Sequence, residues 1–513
     1  MKSSSDFLWQ LIRTLKSSEK LYFKRNFTTK QPGNKQLYLK LFDAIAAQKK
    51  YDESAILKKF NPSINKKNIA FQKHYLQKQV CEAISQYDSR NTIGSELHKQ
   101  ILLIRLLRKK GLVDEAHSTW KKAVAKARAS ELFAILNLLK TEFEKMVLSS
   151  NLDTSFDDLH SVFKGNIITY NEYAEMITLR DIYTEVLLLK RKAHFDFDDD
   201  LKNRIAIMLD FVNNTNTKQH GHSFWFRHYY RLSKATLLYL SNDINGAMPL
   251  LKLSFDDWKK HTGFIKKDPE FYIELLYMIN YTGILKGDYK FVTDCFNDAI
   301  NELIQDPVQQ AYFESIKYLA FNKIYNKTAR YNEVKKLVKF MKTRYRSWEP
   351  LLNADLNRTI NFSLGIACFV LENFQDALYF VKRGNTYFKD GTREEHTSIA
   401  NILLLLITYS LDNDRLFDSQ YRYTYNYFNK RKRKHPFETA LVNCLHQCFY
   451  MPDKKNKLKE YEKALLVFEK NKHDEVQQMS ISIFNYPGWL MSKVQNIPYR
   501  KFVENKVKAE NLV

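Results

Sequence analysis

NFSLGIACFVLENFQDALYFVKRGNTYFKD, residues Asn361–Asp390, carries apolar positions every three or four residues on both sides of Glu372–Asn373. That spacing predicts two short amphipathic helices joined by a tight turn. Leu364, Gly365, Cys368, Phe374, Ala377, Leu378 and Val381 fall where two antiparallel helices would meet. Gly365 lets the backbones approach, and Ala377 is small where the second helix crosses the first. One such hairpin cannot bury both of its apolar faces, so it calls for helical neighbours before and after it.

The flanking sequence supplies them. Toward the C-terminus, Ile399–Ser410 pairs with Phe417–Phe428, and Phe437–Phe449 with Tyr461–Glu469. Toward the N-terminus, Tyr312–Tyr325 pairs with Tyr331–Thr343 across Asn326–Arg330. Phe271–Leu285 pairs with Tyr289–Leu303 across Gly287-Asp288, and Phe224–Leu240 with Ala247–Trp258 across Ser241–Gly246. These pairs start roughly 35 to 50 residues apart, the range in which helical solenoids repeat. Leu97–Ala127 forms an earlier hairpin broken at Gly111, with Ala116, Trp120 and Ala123 on its inward face. Residues 1–90 read as helical but not repetitive, broken at Pro32-Gly33 and Asn61-Pro62. Only 13 Gly and 10 Pro occur in 513 residues, too few for a fold rich in tight turns and suited to long helices. The expected organisation is all-α: a basic helical N-terminal module or cap over 1–90, and a first helical-repeat segment over 91–212. A repeat array follows over 213–470, and a C-terminal tail or capping segment over 471–513.

Leu364-Gly365, Phe374 and Ala377 together resemble the tetratricopeptide-repeat (TPR) family. Its hairpins carry Leu-Gly in the first helix, a small residue at the turn, an aromatic after it and Ala in the second helix. Gly111, Ala116, Trp120 and Ala123 form a second set, with Ile104 in place of the family's glycine. Gly287, Tyr289, Phe296 and Ala299 form a third, with Val292 where Ala is usual. Weaker matches are Ala235 with Ala247, Tyr461 with Ala464 and Phe468, and Tyr331 with Val334. The resemblance implies hairpins stacked as an irregular TPR-like α-solenoid that binds a protein or peptide on a concave face and performs no chemistry of its own.

Charge adds a second signal. The chain carries a formal +24, and residues 1–150 hold 29 Lys/Arg against 13 Asp/Glu. A field of that sign attracts an acidic protein, a nucleic acid or an anionic membrane surface. The candidate electrostatic docking residues are Lys66, Lys67, Lys73, Lys78, Lys109 and Lys110, together with the run Lys430, Arg431, Lys432, Arg433 and Lys434. That run follows alternating Tyr421, Tyr423, Tyr425 and Tyr427. Basic and aromatic groups together grip nucleic acid through phosphate contact and base stacking. On a helix, however, strict alternation scatters rings around the axis, and the bland alternative is a solvated lysine-rich exterior.

No catalytic, cofactor-binding or metal residue is assigned. The chain has no Gly-rich phosphate loop, nucleophile elbow or paired metal motif. Cys444, His446 and Cys448 in NCLHQC put the two thiols on one helix face and the imidazole on another, which suits buried structural cysteines. His220-Gly221-His222 lacks a carboxylate pattern nearby, and Asp196–Asp200 reads as an acidic helix N-terminus rather than a calcium loop. Five cysteines without a regular framework and no signal peptide point to the cytoplasm. No apolar run reaches the length of a transmembrane segment; Ile399–Tyr409 is the most hydrophobic stretch. The expectation is a non-enzymatic intracellular scaffold or adaptor, without cofactor, whose partner is a protein or peptide of acidic character. A nucleic-acid-associated adaptor using the basic N-terminal surface is the alternative.

Overall fold

The computed structural model describes residues 6–27, 34–48, 50–88, 92–149, 173–190, 199–215, 223–387, 394–430 and 435–510. Among these residues every regular element is helical, and no strand occurs. The chain divides into two compact units, Met1–Glu175 and Met176–Val513. The division falls inside the 91–212 segment. Its physical reason is the helix over 173–190, whose Val186 and Leu189 share a core with Leu201, Ile205, Met208, Val212 and Leu237.

In the first unit, the helices Phe7–Thr14, Ser17–Asn26, Asn34–Ala46, Glu53–Phe60 and Ile69–Asp88 enclose one core. Leu8, Ile12, Phe23, Leu41, Phe42, Ile45, Leu76 and Val80 fill it, with the Phe23 and Phe42 rings 4.7 Å apart. Ile93–Lys109, Val113–Ala129 and Phe133–Ser149 then pack against one another in sequence. Ala116, Ala123 and Ala127 are buried where the helices approach, and small side chains there allow the close crossing. Trp120 donates its indole N–H to the Leu139 carbonyl at 2.8 Å and stacks on Phe143 at 4.5 Å.

The second unit is built from neighbouring helix pairs. Phe224–Leu240 packs on Ile244–Lys260, Pro269–Lys286 on Tyr289–Asn297, and Pro307–Lys327 on Tyr331–Trp348. Ala354–Val370 then packs on Phe374–Asn385, Glu394–Ser410 on Asp414–Lys430, and Pro436–Tyr450 on Lys454–Lys470. First helices of successive pairs also meet: Pro269–Lys286 contacts Pro307–Lys327, which contacts Ala354–Val370. The segment after residue 470 is helical too. Its Tyr486–Val494 helix packs on Lys454–Lys470 and sends Tyr486, Trp489 and Leu490 into the core that begins at Ala311.

One turn recurs through both units. Gly111, Glu131, Asn242, Gly287, Ala329, Glu372 and Asp412 all have positive φ, between 50° and 80°, and each ends one helix just before the next begins. The N–H of the following residue reaches back five residues: Leu112 to Leu107, Leu132 to Ala127, Asp243 to Leu238, Asp288 to Gly283, Arg330 to Tyr325 and Asn373 to Cys368, at 2.8–3.0 Å. This is the Schellman closure of a helix C-terminus. The carbonyl of that same residue accepts from the residue four further on, such as Ala116, Leu136, Ala247, Val292, Val334 or Ala377. Each of those residues is buried. A single residue thus closes one helix and opens the next, and a buried position follows it by one turn in each of these six cases.

Candidate binding groove

The second unit's Tyr289–Asn297 helix is short, and its early end creates a groove. Asp298 accepts the Ile300 N–H at 3.1 Å and starts the 3-10 turn Ala299–Leu303. Asp306 then accepts from Val308 and Gln309 at 2.9 and 3.1 Å, and Pro307 opens the next helix, where proline's missing N–H costs nothing. The connection is pinned by side chains: Tyr272 donates to Asn301 at 2.9 Å, Asn301 to the Cys295 carbonyl at 3.0 Å, and Gln310 to the Ile304 carbonyl at 2.8 Å. Between this connection and the helices Pro307–Lys327 and Tyr331–Trp348 lies a groove of about 690 Å³.

Its floor is aromatic and aliphatic: buried Phe296 and Phe313, half-buried Trp348 and Leu351, and Phe340, which is 42% exposed with its ring 5.9 Å from Trp348. Glu302, Glu314, Lys317 and Arg344 supply both signs of charge at its edge. Burial pushes the Glu314 carboxyl above its ordinary range, against the pull of Lys317 and Arg344. For Asp298 burial pushes the same way, but Lys259 at 2.8 Å and the Ile300 N–H outweigh it and hold the carboxyl low. An open depression that sets aromatic rings beside polar and charged side chains suits a partner's side chains. Among the groove residues only Phe296 and Ala299 stand out in the sequence, and there as hairpin-packing positions rather than as a binding surface. The signal was there: Tyr331, Val334, Val338, Met341 and Tyr345 are the buried stripe of their helix, and Phe340 falls off it.

Of the six candidate lysines in the first unit, five are exposed and one is buried. Lys66 and Lys67 are exposed just before the Ile69–Asp88 helix, and Lys78 is exposed on it, 4.0 Å from Glu82. Lys73 must be corrected, because it is buried. It shares the inward face with Ile69, Leu76 and Val80, and its ammonium lies 2.5 Å from Glu53 and 3.0 Å from the Tyr51 hydroxyl. Its hydrogen bond is the largest cause holding the Glu53 carboxyl low. Lys109 and Lys110 are exposed at the C-terminal end of Ile93–Lys109. Lys430 is exposed in the second unit, while Arg431, Lys432, Arg433 and Lys434 lie outside the described residues. Beside Lys430 the rings scatter: Tyr421 is half-buried and stacks on His446 at 3.9 Å, whereas Tyr423 and Tyr425 are exposed.

Among the hairpin residues, Gly111 and Gly287 occupy left-handed turn positions. Ala116, Trp120, Ala123, Phe296, Leu364, Gly365 and Ala377 are buried, and Tyr289 and Phe374 are half-buried. Ala299 is the second correction. The Tyr289–Asn297 helix ends before it, and Ala299 lies exposed in the 3-10 turn. The close crossing there is made by Gly283, where an added Cβ would overlap Val292 Cγ2. Gly283 precedes its turn residue Gly287 by four positions, whereas Gly365 precedes Glu372 by seven, so the hairpin pattern built on Gly365 does not point to it.

Cys444 and Cys448 are buried, the Cys448 thiol donates to the Lys457 carbonyl at 3.8 Å, and its nearness is the largest cause raising the Cys444 thiol. His446 points away from them onto Tyr421. Asp199 and Asp200 lie exposed in the first turn of Asp199–Asn214, while Asp196, Asp198 and His220–His222 lie outside the described residues. Among the described residues no three His, Cys, Asp or Glu side chains converge as a metal site, and no helix is long and apolar enough to cross a membrane. Comparison with protein-family models, with curated proteins and with solved structures finds no match to this chain.

Proposed function

We propose that the chain is a non-enzymatic cytoplasmic scaffold or adaptor, its hairpins stacked as an irregular TPR-like α-solenoid, that holds a protein or peptide partner. The observation that supports this reading most directly is the groove between Ala299–Leu303 and the helices Pro307–Lys327 and Tyr331–Trp348, with Phe340 held partly in water beside half-buried Trp348. An exposed aromatic beside a depression is the usual form of an anchor for another protein's side chain. Lys317 and Arg344 beside Glu302 and Glu314 suit a partner that presents charges of both signs.

The test is recovery of the tagged full chain from its own cells, nuclease-treated, with the Phe340→Glu variant in parallel. A protein recovered in stoichiometric amount with wild type and lost with the variant supports the groove. Equal recovery with both proteins removes it.

A second reading, nucleic-acid association through the first unit, has its own observation. Phe71 is 67% exposed and shares an outward stripe with Lys67, His74 and Lys78. Nucleic acid recovered without nuclease, and lost when Lys66, Lys67 and Lys78 are changed to Gln, favours that reading. Its affinity would fall steeply with added salt, because phosphate binding releases counterions.

A further inference from the structure

The Ile93–Lys109 helix is apolar on two opposite faces. Leu97, Ile101 and Ile104 are buried in the packing with Val113–Ala129 and Phe133–Ser149. Leu102, Leu103 and Leu106 point the other way and are 62%, 44% and 53% exposed. At 100° per residue, Leu102 and Leu106 stand one turn apart with Leu103 beside them, and Lys110 follows Leu106 by another turn. Lys109 and Lys110 are exposed and meet no carboxylate among the described residues. The inner face serves the core, while the outer leucines keep about half of their surface in water. A contiguous apolar patch kept in water marks a contact surface.

We infer that this face docks an acidic amphipathic helix of a partner protein. Its apolar stripe would cover Leu102, Leu103 and Leu106, and its carboxylates would meet Lys109 and Lys110. Charge selects this occupant. Residues 1–150 hold 29 Lys/Arg against 13 Asp/Glu, so an acidic partner is attracted and a basic one repelled. A second copy of the same face would set Lys109 and Lys110 against their own kind. A membrane surface calls for apolar groups spread over a plane, whereas these form a ridge one helix wide, the shape that fits the groove of another helix. The inference stands on the first unit and does not rest on the groove near Phe340.

The experiment displays a library of helical peptides to the full chain, with Leu, Ile, Met or Phe at every third or fourth position and Glu or Asp between them. A matched library carries Lys in place of the acids. The acidic library is expected to yield binders that lose at least tenfold in affinity on Leu102→Gln/Leu106→Gln. Lys109→Gln/Lys110→Gln should weaken them less and flatten their salt dependence, and Phe340→Glu should leave them unchanged. These substitutions are at exposed positions, and circular dichroism checks that the variants stay folded. No enrichment from the acidic library, equal enrichment from the basic one, or binders indifferent to the leucines would each overturn the proposal. So would Leu102- and Leu106-dependent dimerisation of the free chain, or its leucine-dependent adsorption to phosphatidylglycerol vesicles in preference to any peptide.

Discussion

Gly365 sits against Val381 so closely that a Cβ added to it would overlap Val381 Cγ2, and would lie 3.3 Å from the Ala377 carbonyl. The Ala354–Val370 and Phe374–Asn385 helices therefore touch backbone to side chain, and both small residues are needed. Gly365→Ala and Ala377→Leu should each overpack this crossing and destabilise by roughly 1–3 kcal/mol. Chemical denaturation reads the effect; an unchanged midpoint for either variant would show that the crossing can widen without cost.

The recurring turn makes an opposite pair of expectations. An L-residue in the left-handed region carries about 1–2 kcal/mol of strain, whereas glycine gives back roughly 0.5–1 kcal/mol in chain entropy. Glu372→Gly should thus stabilise by a few tenths to about 1 kcal/mol, and Gly287→Ala should destabilise by a similar amount. Thermal melts of the two variants beside wild type would show opposite shifts. A shift of the same sign in both would remove strain as the controlling term.

That turn also explains what the sequence discloses. Gly111 and Gly287 announce their hairpins, because only glycine adopts positive φ freely. Glu131, Ala329 and Glu372 adopt the same conformation without advertising it, since the helices on either side hold them there. The apolar spacing around Glu372 still exposed that hairpin, as burial acts on whole faces rather than single dihedrals. Ala299 misled for the converse reason. It matched a residue pattern, but Asp298 captures the Ile300 N–H and ends the helical run first. The groove was hidden because it arises from a helix that is too short, and length depends on that local competition. Lys73 was misplaced because a lysine can follow the inward stripe when Glu53 and Tyr51 receive its ammonium.

His228 gives the fold an acid limit. The ring is buried among Phe224, Trp225, Tyr229, Trp258 and Phe271, and its Nδ1 accepts the Trp258 indole N–H at 3.3 Å. Burial holds its pKa down to about 3. Between pH ~6.5 and about 3 the unfolded chain therefore binds a proton that the native state refuses, so stability falls as pH falls through that window. The slope approaches 1.4 kcal/mol per pH unit for this group alone. In His228→Gln, which keeps an acceptor for Trp258 but has no proton to take up, the loss of stability between pH 7 and 4 should be shallower. Parallel denaturation curves at each pH provide the check, and identical slopes would show that other groups set the acid limit.

Lys190 and Glu274 form an ion pair between separate elements of the second unit, joining the helix over 173–190 to Pro269–Lys286. Lys190 is buried, with its ammonium also 3.8 Å from Met278 Sδ and 4.7 Å from the centre of the Tyr277 ring. Glu274 keeps 27% of its side chain exposed. The two partners are therefore unequal. Glu274→Leu leaves an ammonium in a largely apolar setting without its counter-charge, and should cost about 3 kcal/mol or more. Lys190→Met leaves a carboxylate that water still reaches, and should cost less. The double variant removes both charges and keeps the volume apolar, so it should recover most of the loss, because a buried pair is worth little against well-packed hydrophobic side chains. A double-mutant cycle measured by denaturation therefore predicts strong, favourable coupling and a ranking with Glu274→Leu as the least stable species. Additive losses in the double variant would mean that the two side chains act independently, and that the 173–190 helix is held by Val186 and Leu189 rather than by charge.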